Sequence, residues 1–78
     1  MATEPIVIDA RGLKCPLPVL RMEKKLADTR AGSTLIVLAT DPMAKIDIPL
    51  YCRQQGHRFT LTEAAGVMRF EIVKRGED

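Results

Sequence analysis

The chain has 78 residues, 46% of them hydrophobic and 28% charged, with 12 basic against 10 acidic side chains and a net charge of +2. A chain of this size supports one domain, here residues 1–78, that buries roughly 60% of its unfolded surface. That excludes a deep pocket around a large substrate, and the weak positive charge does not amount to the basic footprint of a nucleic-acid binder. Two cysteines are too few for a secreted disulfide scaffold. No apolar run is long enough for a membrane span, and "MATEPIVID" lacks the charged start and apolar stretch of a signal peptide. The expected setting is a reducing cytoplasm, with no membrane partner.

In chain order, residues 5–9 (PIVID) are β-branched and apolar and end in a polar turn, which predicts a strand. Gly12 supplies the turn that follows. From Pro16 the period changes. Val19, Met22 and Leu26 recur at helical spacing, with Arg21, Glu23, Lys24 and Lys25 elsewhere on the wheel, so an amphipathic helix is predicted up to "TRAGS". Residues 34–40 (TLIVLAT) form a continuous apolar run, as in a central strand.

Asp41-Pro42 and Asp47-Ile48-Pro49 each pair a capping residue with a nearby proline, predicting a loose turn at 42–46 and a firmer helix over 48–55, closed by Gly56. Residues 57–63 and 67–74 alternate apolar and polar around an "AAG" turn, a predicted hairpin. The order is βαβαββ. Its simplest arrangement is a two-layer α/β sandwich, a mixed four-stranded sheet with both helices on one face.

This order sets Cys15 between the end of the first strand and the start of the first helix, an edge where α/β sheets commonly place reactive groups. Read as the helix N-cap, with Pro16 first and Pro18 third in the helix, Cys15 would sit in the positive end of the helix dipole, near Arg11 and Lys14. The expectation is an exposed sulfur on a stiff mount with its pKa lowered. In C-x-x-C redox motifs a second thiol lies three residues on; here that position is Pro18, so a sulfur attached to Cys15 has no local thiol to expel it. That pattern suits a carrier better than an oxidoreductase.

Other residues read more plainly. Cys52, beside Leu50 and Tyr51 in the second helix, is expected to be buried and unreactive. His57 is expected at a turn or strand edge rather than beside the nucleophile. Two cysteines and one histidine do not make a zinc site, and no metal is expected. Asp9 is expected to tie the loop before Gly12, and Asp41 and Asp47 to cap helices. Arg11, Lys14 and Arg21, with the rest of the "RMEKK" run, offer either a solvated face or a docking surface for an acidic partner.

Gly12-x-x-Cys15-Pro16-x-Pro18, preceded by Asp9 and followed by Asp41-Pro42 and Asp47-Ile48-Pro49, resembles the signature of the TusA/SirA-like family of small sulfur carriers, over about residues 6–74. The resemblance implies a fold like the C-terminal domain of translation initiation factor three. It also implies a persulfide on Cys15, with no separate cofactor. Sulfane sulfur would come from a cysteine desulfurase or rhodanese-like donor and pass to an acceptor cysteine. The routes so implied are 2-thiouridine formation in tRNA, molybdenum-cofactor maturation and cytoplasmic sulfur trafficking. A monomer with an open site is the simplest state. Two alternatives stand beside this one: an RNA-binding or regulatory module, for which three aromatics leave no stacking platform, and a thiol redox switch.

Overall fold

The structure is a computed structural model that describes residues 5–76. Six elements follow the expected order: β1 (Ile6–Ala10), α1 (Leu17–Ala27), β2 (Thr34–Ala39), α2 (Ala44–Gln55), β3 (Arg58–Ala64) and β4 (Val67–Val73). The sheet order is β1-β2-β4-β3, with β1 and β2 parallel and the other pairs antiparallel. The mixed sheet arises because β1 reaches β2 through a helix, whereas β3 and β4 are joined by the tight turn that only antiparallel neighbours can use.

Register explains the core. Ile8, Val37, Phe70 and Leu61 lie in one row across the four strands, and Ile6, Leu35, Ile72 and Phe59 in another. Successive side chains on a strand alternate in face, so both rows and the Ala10–Ala39–Met68 row point the same way. Met22 and Leu26 of α1 and Ala44, Ile48 and Cys52 of α2 close over them in a single buried cluster. Both helices therefore cover one face. The other face carries Thr60, Thr62 and the Arg69–Glu71 pair, with Ile36 the buried exception.

Two helix boundaries differ from the sequence reading. In α1 the N-cap is Pro16, so Cys15 lies one residue outside the cap and Pro18 is the second helical residue. Pro18 also takes a buried position with Met22 and Leu26, while Val19 is only half-buried. The helix ends at Ala27, before the "TRAGS" stretch. Helix α2 begins at Ala44 rather than near 48 and holds Pro49 in its interior. Its first turn is tight: the N–H groups of Ala44, Lys45 and Ile46 donate to the carbonyls of Asp41, Pro42 and Met43, three residues back. Such a turn satisfies donors that have no partner within the helix.

The far ends are tied down as well. Gly56, with φ of +79°, closes α2 as the N–H groups of Gly56 and His57 donate to the carbonyls of Arg53 and Cys52. Lys74 Nζ donates to the carbonyl oxygens of Leu26 and Thr29, both at 2.6 Å, and so caps the end of α1. No helix is long and apolar enough to cross a membrane among the described residues.

Candidate functional site

The parallel pairing of β1 and β2 sends both chains out of the sheet at the same edge, Ala10 beside Ala39, and both helices start there. The loop carrying Cys15 therefore lies against the loop that leads into α2. Gly12, with φ of +81°, turns the chain in a conformation that disfavours other residues, and its N–H donates to Thr40 Oγ1 at 2.9 Å. The Cys15 N–H donates to Asp41 Oδ2 at 2.6 Å, and Asp41 Oδ1 accepts from the Met43 N–H at 3.3 Å. One carboxylate thus braces two loops.

The sulfur itself is exposed. Cys15 Sγ donates to Asp47 Oδ2 at 2.6 Å, from the first helical turns of α2. The Cys15–Pro16 peptide is cis. The Leu17 N–H donates to the Lys14 carbonyl at 2.8 Å.

These contacts reverse the expected electrostatics. The Asp47 hydrogen bond is the largest influence on the thiol, followed by desolvation and by the charges of Asp47 and Asp41, and together they push the Cys15 pKa up rather than down. The physical reason is proximity. A helix N-terminus presents roughly half an elementary charge spread over its first N–H groups, and Cys15 lies just outside that end. A full negative charge at hydrogen-bond distance outweighs it. Asp47, expected as a helix cap, faces the sulfur instead, while Asp41, also expected as a cap, divides its carboxylate between the Cys15 N–H and the turn into α2.

Asp9 does tie the loop, as expected. Its carboxylate accepts Arg11 Nε at 2.8 Å, Arg11 Nη2 at 2.8 Å and the Arg11 N–H at 3.2 Å, and these bonds hold the Asp9 pKa down at about 2. Arg11 is therefore engaged within its own loop and adds little positive charge beside the sulfur. Lys14 and Arg21 are exposed.

The remaining candidates lie apart from this edge. Cys52 is fully buried in the core, and burial pushes its pKa up to about 11. His57 sits in the turn before β3, at the opposite end of the sheet by register, where its Nδ1 accepts the Arg75 N–H at 2.9 Å. Among the described residues no cluster of three or more metal-ligating side chains exists.

Sequence reasoning missed one feature besides the two aspartates. Helix α2 carries two apolar stripes. Ala44, Ile48 and Cys52 are buried, whereas Met43, Ile46 and Leu50 are 44%, 59% and 50% exposed. Leu17 and Leu20 on α1 are exposed too. The spacing 43, 46, 50 is as helical as the core spacing and was the signal available.

The family described as "Sulfurtransferase TusA" matches residues 6–74. The chain belongs to the TusA family. It is 38% identical over 78 residues to the sulfur carrier protein TusA of Pseudomonas paraeruginosa, covering 96% of this chain and 99% of that one. It is 37% identical to the putative sulfur carrier protein YrkF of Bacillus subtilis over 99% of its own length, but spans only 42% of that longer relative. Among solved structures, the SirA-like protein of Desulfitobacterium hafniense superposes with a TM-score of 0.81 at 32% identity, over 92% of this chain and 99% of that one. The family membership and the shared fold agree with the resemblance drawn from the Gly12–Pro18 motif.

Proposed function

We propose that this protein is a sulfur carrier that holds sulfane sulfur as a persulfide on Cys15 and passes it to a cysteine of an acceptor protein. The observation that carries this reading is the placement of Cys15: an exposed thiol on a braced loop, with Cys52 sealed in the core and no second thiol within the motif. A persulfide there has no internal thiol to attack it, so it persists until a partner's thiol arrives.

The transfer is a thiol exchange. Cys15 Sγ bonds to the sulfane sulfur of a donor persulfide R–S–SH, and the donor's S–S bond breaks with its electron pair on the donor cysteine. The thiol proton of Cys15 ends on that thiolate, giving R–SH and Cys15–S–SH. No oxidant or reductant is consumed, and no separate cofactor is required. Onward transfer repeats the exchange with the acceptor thiol attacking the outer sulfur.

The donor in this reading is a cysteine desulfurase or a rhodanese-like protein, and the routes served are tRNA 2-thiouridine formation, molybdenum-cofactor maturation or sulfur trafficking in the cytoplasm. The protein acts as a monomer with its site open. Partners dock over the apolar residues Leu17, Leu20, Met43 and Ile46, with Lys14 and Arg21 supplying orientation and on-rate for an acidic surface. The test is the intact mass after incubation with a cysteine desulfurase and cysteine, or a rhodanese and thiosulfate. Gain of one sulfur, reversed by reductant and absent in Cys15→Ser, is expected. Absence of any gain with both donor types would refute the reading.

A further inference from the structure

The side chain of Asp47 is placed for more than helix geometry. It is the fourth residue of α2, where its own N–H donates to the Met43 carbonyl at 2.8 Å, and its carboxylate accepts Cys15 Sγ at 2.6 Å. A surface aspartate free to rotate would gain little from a thiol, a weak donor. Here the backbone on both sides is fixed: Asp47 by α2, and Cys15 by the Asp41 carboxylate on its N–H.

We propose that Asp47 holds the proton of Cys15 in the free protein, keeping the attacking sulfur as an oriented thiol and setting the pH at which it becomes nucleophilic. The inference deepens the carrier reading and takes its biological meaning from it. The two side-chain charges that act on the sulfur, those of Asp47 and Asp41, are both negative. From the β2–α2 loop comes Asp41, a second negative charge. On α2, Lys45 is occupied by Glu63 at 2.8 Å, and in the Cys15 loop Arg11 is occupied by Asp9, which leaves Lys14 as the unengaged cation nearby in sequence. Among the described residues neither Asp41 nor Asp47 has a salt-bridge partner. The free carrier is therefore a resting thiol, slow to oxidise or to exchange with bystander disulfides. A partner that brings a lysine or arginine to this carboxylate pair releases the thiolate where it is needed.

The experiment is the rate of Cys15 alkylation by iodoacetamide across pH, followed by peptide mass on the full chain, for wild type and Asp47→Asn. The substitution is isosteric and keeps a hydrogen-bond acceptor while removing the charge. Its expected effect is a midpoint lower by about one pH unit, hence about tenfold more thiolate at neutral pH. The weaker nucleophilicity of a lower-pKa thiolate offsets about threefold of that, leaving alkylation about three- to fourfold faster. A folded Asp47→Asn with an unchanged or higher midpoint would overturn the proposal. Should that variant not fold, the wild-type profile decides: a midpoint above that of free cysteine supports the proposal, and one at or below it overturns it. None of these readouts involves a persulfide, so the inference can fail while Cys15 still carries sulfur, and the reverse.

Discussion

Cys15 and Asp47, 32 residues apart in the chain, meet at 2.6 Å because the parallel strands β1 and β2 deliver the starts of both helices to one edge of the sheet. The thiol is thereby exposed to partners and restrained by a carboxylate at once. The neighbouring contacts make separable predictions.

Asp41 braces Cys15 through the backbone rather than through the sulfur. Asp41→Ala removes the acceptor for both the Cys15 and Met43 N–H groups. A loss of about 0.5–2 kcal/mol is expected, as for removal of a helix cap. Hydrogen exchange should show faster exchange at the Cys15 amide, with the β4 amides unchanged at conditions where exchange is local.

Cys52 should be silent until the protein unfolds. A thiol reagent at neutral pH is expected to label Cys15 alone in the native protein and both cysteines in denaturant. The folded pKa of Cys52, about 11, lies above the ordinary value of 9.0. The neutral thiol therefore contributes stability that is fully present below pH 9 and is lost as pH rises towards 11. The loss is about 2–3 kcal/mol at most. Urea midpoints measured from pH 8 to 11 should fall less steeply in Cys52→Ala than in wild type.

Lys74 closes the other end of α1, far from the sulfur. Lys74→Met keeps the apolar stem but leaves the carbonyls of Leu26 and Thr29 without this donor. A destabilisation of about 1–3 kcal/mol is expected from urea unfolding, since the lost bonds involve a charged donor. The alkylation rate of Cys15 should not change, because nothing at the sulfur touches Lys74.

Two cations near the motif should differ in how they act. Lys14→Glu is expected to slow sulfur transfer from a donor protein several-fold, with the difference shrinking at high salt and the melting temperature nearly unchanged. Arg11→Glu instead breaks the pair with Asp9 and sets two carboxylates against each other where β1 enters the Cys15 loop. It should disturb the loop backbone in NMR spectra as well as transfer. Equal loss of transfer with no spectral difference between the two variants would argue against this distinction.

The strands were legible because period-two alternation survives in Met68, Phe70 and Ile72, and the register then follows from the hairpin turn. Cys52 was legible from its apolar setting. The start of α2 was not, because Pro49 resembles a first helical residue, and only the tight turn from Asp41 shows that the helix has already begun. The state of Cys15 was misread for a deeper reason. Motif and helix dipole are local and argue for a thiolate, whereas the deciding charge comes from how α2 is rotated about its axis when Ile48 and Cys52 pack into the core. That rotation turns Asp47 to the sulfur and Ile46 to solvent. No local pattern records it.

In the proposed carrier cycle Cys15 alone holds the sulfur. The most direct measurement is peptide mapping by tandem mass spectrometry, after trapping with an alkylating agent, of protein loaded by a sulfur donor. One added sulfur on the peptide containing Cys15, with none on the Cys52 peptide, is expected. Sulfur found on Cys52, or no persulfide on either cysteine under conditions in which the donor is active, would contradict it.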